Sequence, residues 1–194
     1  HCMLNRLSFQ ARLILMMCVS LGLFVVTGGV GLVAVDKMNQ SLHRVYEDSM
    51  VPITLLERIH TNINDCRAQL LLAMQHDPGS EFLSLHDHPV QRHFDAIIDC
   101  RKTNAVIWQS FDATKLLPAE QRQYDQLRGM IDDYSNKTVE EVFQLAQSGN
   151  FFEANKQLLL KVNPHLAEVR KHMTVFQEAM LQQAEALYLQ AEED

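Results

Sequence analysis

One stretch of the sequence restricts its fold more than any other, because from Leu13 to Val35 the chain carries no charged side chain. A helix in water gains nothing from being uncharged over such a length, whereas a helix of about 20 apolar residues can cross the core of a bilayer. Arg6 and Arg12 precede the run, and all 24 acidic residues follow it. Since basic segments stay in the cytoplasm, the pattern predicts the orientation of the chain. The predicted segments are a cytoplasmic N-terminus (1–12), a transmembrane helix (13–35) and an extracytoplasmic domain (36–194).

The alternative for this run is a secretory signal that is cleaved from the mature protein. Such signals have an apolar region of about 7–15 residues and a cleavage site with small residues. The run here is longer, and Leu32-Val33-Ala34 fits that cleavage pattern poorly. The sequence therefore favours an anchor that stays in the membrane.

The rest of the chain has the composition of a helical protein, with only 7 Gly and 5 Pro and with 47% hydrophobic residues over the whole sequence. Apolar residues recur at steps of three and four, as they do in helices that face partner helices. In the first helix this stripe is predicted to hold Ile59, Ile63, Cys66, Leu70 and Ala73. Four such stripes with short connections predict an all-α protein, an up-down-up-down antiparallel four-helix bundle preceded by one transmembrane helix. The predicted helices span about 36–76, 88–113, 118–147 and 151–194.

Several positions set the details of these helices. Asp87 is predicted to cap the second helix, with Pro89 in its first turn, where a missing N–H costs nothing. Pro52 and Pro164 lie inside the first and fourth helices and predict a local bend in each. The apolar stripe of the fourth helix is predicted to include Leu159. Acidic residues at the end of the sequence oppose the helix dipole, so we expect the native chain to continue, into a second span.

The charge and the motifs exclude several functional classes. A net charge of −7, with the acids all in the outer domain, argues against a nucleic-acid partner. The sequence has no Gly-rich phosphate loop, nucleophile elbow or zinc-type Cys pair, so neither an enzyme nor a cofactor is predicted. Glu57 and His60 have the spacing of a di-iron ligand pair, but such bundles need two pairs and two further Glu. A solvated helix face is the better interpretation of that pair.

Four histidines surround the first turn of the predicted bundle: His76, His86, His88 and His93. A His-x-His sequence at a junction of loop and helix can bind zinc or copper. The simpler interpretation is a polar cap at the far end of the bundle. If a metal binds, we expect His86, His88 and His93 to be its ligands.

Cys66 and Cys100 are predicted to lie at the same height in the bundle. Each is about 15 Å from the first turn, at about 1.5 Å per residue, and each lies on an apolar stripe. A disulfide is permitted outside the cytoplasm when the two Cα atoms lie within about 7 Å. The alternatives are therefore a disulfide or two buried thiols.

Basic and polar residues on the first helix are candidates for binding an anionic ligand. Arg58 and Asn62 share a helix face, whereas Arg67 lies about 180° round the helix from Arg58. In one bundle these arginines do not serve one ligand, but in a dimer of first helices each partner can supply one. The alternative is that both arginines are solvated.

A second group of polar residues lies on the second and third helices: Thr103, Asn104, Tyr134 and Lys137. Buried polar groups need hydrogen-bond partners. A ligand carboxylate inside the bundle would satisfy all four side chains. Mutual hydrogen bonds and water are the alternative.

This layout resembles the ligand-binding region of methyl-accepting chemotaxis receptors of the four-helix-bundle type, over residues 3–194. The resemblance is carried by an ordered series of short motifs. These are Leu55-Leu56-Glu57-Arg58-Ile59, His76-Asp77-Pro78, Leu85-His86-Asp87-His88-Pro89, Leu116-Leu117-Pro118-Ala119-Glu120 and Gly149-Asn150-Phe151-Phe152-Glu153-Ala154.

The resemblance implies a homodimeric sensor in a bacterial inner membrane, with its bundle in the periplasm and a cytoplasmic signalling region elsewhere in the receptor. Aspartate-sensing relatives bind their ligand through three arginines of the first helix. Arg58 and Arg67 match the outer two, and Ile63 stands at the middle position. A small carboxylate, an organic acid rather than an amino acid, is therefore the expected ligand. The alternatives are a histidine-kinase sensor, a metal- or cofactor-binding anchored bundle, or a structural dimer that senses through a partner protein.

Overall fold

The computed structural model describes residues 8–114 and 116–193, and the side chains up to residue 189. Within these residues the chain is helical and has no strand. Helix α1 is Phe9–Met74, and α2 is Gln91–Asp112. Helices α3 (118–147) and α4 (151–193) each contain one wide turn. The predicted all-α class and the four helices are confirmed.

Hydrogen bonds between the helices show that neighbours run antiparallel. From α1 to α4 they join Glu57 with Gln177, and Arg67 with Asn163, so residue numbers fall on one helix as they rise on the other. From α1 to α2, Asn62 bonds to Cys100 and Gln69 bonds to His93 in the same opposed order. The bundle therefore goes up, down, up and down.

The core lies along the predicted apolar stripes. Ile59, Ile63 and Leu70 of α1 are at most 1% exposed. Toward the end of the bundle nearest the apolar run, aromatic rings fill the interior, with Phe111 stacked on Tyr124 at 4.8 Å between ring centroids. Rings at such distances add to the stabilisation that burial provides. This core fixes the four helices against one another and so positions the polar residues between them.

Wide π-helical turns interrupt three of the helices, at Tyr46–Met50, Tyr134–Val139 and Leu158–Val162. The first and third come directly before Pro52 and Pro164. Because proline has no N–H to donate, the ladder of hydrogen bonds is interrupted there. The predicted local bends thus take the form of wide turns.

The wide turn in α4 changes which of its leucines are buried. Leu158 is fully buried, whereas Leu159 is 57% exposed, so the prediction that Leu159 lies in the apolar stripe was wrong. A wide turn holds one extra residue, so the buried residue that precedes Val162 in the stripe is four positions back, at Leu158, and not three.

Helix α2 begins at Gln91, later than predicted, and Asp87 does not cap it. The helix has Val90 at its N-cap position and no side-chain cap. The Asp87 carboxylate instead accepts a hydrogen bond from the ring of the adjacent His88 at 2.7 Å. Pro89 therefore lies just before the helix and not in its first turn.

The first part of α1, Phe9–Val45, has no buried residue. Within the described residues, α1 is the one helix that is long and apolar enough to cross a membrane, judged by length and composition. The helix continues without a break from this apolar part into the bundle.

Candidate functional site

Three of the predicted ligand-binding residues line one open groove of about 360 Å³ between α1 and α2. Arg58 and Asn62 come from α1, and Thr103 comes from α2. The Asn62 side-chain amide donates to the carbonyl of Cys100 at 2.6 Å, which ties the two helices together. The groove also contains the carboxylates of Glu57 and Asp65. The net charge of the groove is therefore negative, although Arg58 lies in the groove.

Arg67 lies on the other side of α1, as its spacing from Arg58 predicted. Its Nε donates to the Asn163 side-chain oxygen of α4 at 2.8 Å. Arg170 of α4 extends in the opposite direction and donates to the side-chain oxygen of Asn64. Among the described residues, neither arginine pairs with a carboxylate. Within the described chain, these two arginines at the α1–α4 contact are therefore bonded to amide oxygens, with no carboxylate at ion-pair distance.

Tyr134 of α3 is buried beside these arginines. It is 2% exposed, and its hydroxyl has no hydrogen-bond partner among the described residues. Burial raises the pKa of Tyr134, and the charges of Arg67 and Arg170 oppose that rise only in part. The phenol is therefore a neutral donor. The ring of His165 lies against Tyr134 with centroids 5.5 Å apart and bonds to Thr138 at 2.8 Å.

The structure does not bring together the four polar residues that were predicted to surround one carboxylate. Tyr134 and Asn104 are buried, and the side-chain oxygen of Asn104 has no partner in the described chain. Thr103 instead faces the open groove, because adjacent residues of a helix do not share a face. Lys137 is exposed and pairs with Asp133.

The position of Lys137 follows from the wide turn at Tyr134–Val139. In such a turn each residue advances less about the helix axis than in an α-helix. Lys137 is thereby rotated away from the buried face that holds Tyr134. Its predicted role inside the bundle is not supported by this geometry.

Cys66 and Cys100 lie side by side, as their equal heights predicted, and both are free thiols in the structure. The Cys66 thiol contacts the Ile97 carbonyl with a sulfur–oxygen distance of 3.9 Å. Burial raises the pKa of Cys66, and it also raises the pKa of Cys100. The arrangement corresponds to the alternative of two buried thiols, with no disulfide formed.

We expect Cys66 to react slowly with maleimide in the folded protein, because the reagent needs an exposed thiolate. Cys66 is 8% exposed, whereas Cys100 is half-buried and should react sooner. Peptide mass spectrometry after timed labelling measures both rates, with denatured protein as the control. Equal labelling of both cysteines in folded and denatured protein would contradict this burial, and resistance to labelling that a reductant removes would reveal a disulfide.

The four histidines of the first turn meet at the distal end of the bundle. His76 and His93 are each 6% exposed, and His86 and His88 are half-buried. One ring nitrogen from each lies within 4.8 Å of those of the other three. Burial and the neighbouring imidazoles lower the pKa of His76 and of His93, which keeps both rings neutral at neutral pH. The predicted His86, His88 and His93 are thus together, and His76 joins them.

The sequence reasoning missed Arg170 and the two asparagines that bond to the arginines, Asn64 and Asn163. All three lie beside the apolar stripes, at positions that a count of stripes assigns to the surface. One local signal was present, since Asn163 and His165 flank Pro164 in the middle of a long helix. A proline inside a helix marks a kink or a wide turn, and wide turns are frequent at functional sites.

Comparison with known proteins gives one result that bears on this geometry. The model of a family described as a four helix bundle sensory module for signal transduction matches residues 6–194. A search of the curated proteins finds no match. The matched family is sensory and not catalytic. With four antiparallel helices and a match over nearly its whole length, the chain belongs to the four-helix-bundle sensory modules of methyl-accepting chemotaxis proteins.

Proposed function

We propose that the chain is the sensory part of a bacterial transmembrane chemoreceptor and that its ligand is a small carboxylate, an organic acid rather than an amino acid. One observation supports this ligand class above the others. Arg67 and Arg170 lie at the α1–α4 contact without a carboxylate partner in the described chain. The positive charges of both oppose the rise in pKa that burial causes in the phenol of Tyr134. This arrangement is called the arginine site below.

The charges favour the arginine site over the open groove as the place where a carboxylate binds. A guanidinium and a carboxylate form strong, charge-assisted hydrogen bonds. In the groove, Glu57 and Asp65 would repel an anion that approaches Arg58. At the arginine site the present acceptors are neutral amide oxygens of Asn64 and Asn163, which a carboxylate can replace. The hydroxyl of Tyr134 then supplies one further donor.

The proposed receptor stands in the bacterial inner membrane, with Leu13–Val35 in the bilayer and the bundle in the periplasm. The uncharged run and the arginines before it support this orientation. We propose that two copies pair through their first helices. In such a homodimer, Arg58 on the open side of α1 faces the second copy, and it contributes to the ligand or to the dimer contact.

The signal arises from the relative position of α1 and α4. Arg67 belongs to the helix that continues into the apolar run, and Arg170 belongs to the other long helix. A carboxylate that binds both arginines favours one arrangement of these helices over others. The wide turn at Leu158–Val162 lies beside Asn163, the residue that Arg67 contacts. A displacement of α4 at this turn is then passed along the helix toward the membrane and a cytoplasmic signalling region.

We expect calorimetry on the chain in lipid nanodiscs to detect binding of at least one acid from a panel of small mono-, di- and tricarboxylates. In Arg67→Met and in Arg170→Met the affinity should fall by about 10- to 150-fold, the equivalent of about 1.5–3 kcal/mol for a hydrogen bond to a charged group. Tyr134→Phe should weaken binding less, because it removes one neutral donor.

Two further variants serve as controls for this experiment. Lys102→Met removes an exposed cation of α2 that pairs with Asp99 and should bind the acid as the native protein does. Arg58→Met removes the cation of the groove and leaves the arginine site unchanged, so it shows which of the two sites binds the acid. If binding is lost in Arg58→Met and kept in Arg67→Met and Arg170→Met, the ligand lies in the groove. If no acid of the panel binds, the proposed ligand class is wrong.

A further inference from the structure

We infer that the four histidines at the distal end, called the histidine cluster (His76, His86, His88 and His93), bind one divalent transition-metal ion, with Zn²⁺ as the ion that fits best. This site is separate from the arginine site. One ligand lies in the turn directly after α1, two come from the connecting loop, and one comes from the first turn of α2. The ion would therefore join the loop to both helix ends.

The spacing of the ring nitrogens is close to that of a tetrahedral site. Zinc–nitrogen bonds of 2.0–2.1 Å place the ligand nitrogens of a tetrahedron about 3.3 Å apart. The Nε2 atoms of His88 and His93 are 3.0 Å apart. All four ligand nitrogens lie within 4.8 Å of one another. His86 and His88 are half-buried loop residues, so their rings have room to turn toward a common centre.

Hydrogen bonds behind two of the rings direct their free nitrogens toward the centre of the cluster. The Nδ1–H of His88 donates to the Asp87 carboxylate at 2.7 Å. The Nδ1–H of His93 donates to the side-chain oxygen of Gln69 at 2.8 Å. With these two bonds, the nitrogen left free for a metal is Nε2 in each ring. Carboxylates and amides in this position orient metal-binding histidines and make them better ligands.

A bound cation is one explanation of the contact between the two free nitrogens. With both Nδ1 atoms protonated, the Nε2 lone pairs of His88 and His93 meet at 3.0 Å and repel each other. A metal ion bound by both nitrogens removes this repulsion. The Nε2 of His76, which is buried and has no partner among the described residues, gains one at the same time. A single ion would thus provide a partner for all three of these ring nitrogens.

The donor set indicates the class of metal. Imidazole nitrogen suits zinc, copper, nickel and iron, whereas magnesium and calcium require oxygen ligands. Four protein ligands without an open position are typical of structural sites, not catalytic ones. We therefore expect the ion to stabilise the distal loop and not to carry out a reaction. Mass action makes this stabilisation depend on the free metal concentration.

A network of hydrogen bonds without a metal is the competing arrangement. If Gln69 turned its amide group, its N–H would donate to Nδ1 of His93, and the Nε2–H of that ring could donate to His88. A proton shared by the two rings would also remove the repulsion. Both versions predict a cluster that is indifferent to metal, so the amount of bound metal decides between them and the proposed site.

The test uses the chain without a polyhistidine tag, in lipid nanodiscs, after treatment with a chelator. Titration with Zn²⁺, followed by elemental analysis of the desalted protein, should give one zinc per chain, and calorimetry should show a higher unfolding temperature in its presence. Co²⁺ should give the intense visible bands of a tetrahedral complex. The double variant His88→Gln/His93→Gln should bind zinc at least 100-fold more weakly.

The matched control is His172→Gln, since His172 lies on α4 and, among the described residues, bonds only to the Glu168 carbonyl of its own helix. This variant should bind zinc as the native protein does. Asp87→Asn tests the orienting carboxylate at an exposed position, where folding is not at risk, and should weaken zinc binding about 10- to 100-fold. The inference is overturned if native protein retains no zinc, or if the double variant retains as much.

Discussion

Replacing Leu21 and Val25 by arginine should move the protein out of the membrane fraction. Each arginine at the centre of a spanning helix costs about 2.5–3.5 kcal/mol on scales of helix insertion. The two costs together are comparable with the whole stability of many folded domains. Extraction of cell membranes with alkaline carbonate, followed by immunoblotting, measures the fraction that remains embedded. The native chain should stay in the pellet, and Leu21→Arg/Val25→Arg should not.

The reason for this expectation is the exposure of the apolar run. Side chains such as Phe24, at 75% exposed, and Leu32, also at 75%, have no protein to cover them within the described chain. An apolar surface of this extent does not stay in water in an ordinary monomeric protein. A helix of a soluble bundle would instead bury one stripe, as the later part of α1 does. Lipid is the surrounding that we expect for an exposed helix that is apolar on all sides.

The control replaces two valines that are as exposed but lie in the bundle. Val106 is 61% exposed on α2, and Val175 is 54% exposed on α4. Val106→Arg/Val175→Arg adds the same charge and should leave the protein in the membrane pellet. If this variant and Leu21→Arg/Val25→Arg are both released from the membrane pellet, the added charge alone explains the result. If the native chain itself is released by carbonate, the proposed span is wrong.

The parts of the fold that follow from periodicity could be predicted from the sequence. Ile59, Ile63 and Leu70 are buried as predicted because steps of three and four place them on one face, whatever the neighbouring helix is. The order of the four helices follows from their short connections. Pro52 and Pro164 correctly indicated where two helices depart from α geometry. Each of these features depends on residues close together in the chain.

The features that could not be predicted depend on contacts between distant residues or on a change of helix register. Leu158 replaces Leu159 in the core because the extra residue of a wide turn is invisible to a count of stripes. Lys137 is turned outward for the same reason, and no proline near the wide turn at Tyr134–Val139 indicates it in the sequence. Arg170 was missed because its significance depends on Asn64 and Arg67 on another helix.

The histidine cluster combines features that depend on residues close together in the chain with one that depends on a distant residue. The sequence indicated His86, His88 and His93 because they lie close together around one turn. The relation of His88 to Asp87 is local, but Gln69 belongs to α1 and reaches His93 only in the folded bundle. The hydrogen bond that orients His93 was therefore beyond sequence reasoning. This is why the sequence favoured a polar cap, and why the metal site was inferred only from the folded bundle.

Phe111→Ala should be among the most destabilising single changes in the bundle, by about 3–5 kcal/mol. Phe111 is 1% exposed. Its ring stacks on Tyr124 with centroids 4.8 Å apart, and Trp108 and Phe176 lie at 5.9 and 6.4 Å. Its removal leaves a cavity between α2, α3 and α4 that these rigid rings cannot fill by turning. Thermal unfolding in nanodiscs, followed by near-ultraviolet circular dichroism, should show a midpoint lower by about 6–20 °C.

Phe152 provides the matched control, because it is the same residue type on the surface. It is 78% exposed at the start of α4, so Phe152→Ala removes few contacts and should change the free energy of unfolding by no more than about 0.5 kcal/mol. The difference between the two variants isolates burial from the chemistry of the substitution. Near-ultraviolet dichroism follows the packing of aromatic rings, and Trp108 and Tyr124 both lie in the bundle core, so the signal reports mainly on the bundle. Equal midpoints for the two variants would mean that the four aromatic rings do not form the core described above, and the antiparallel packing of α2, α3 and α4 would have to be reconsidered.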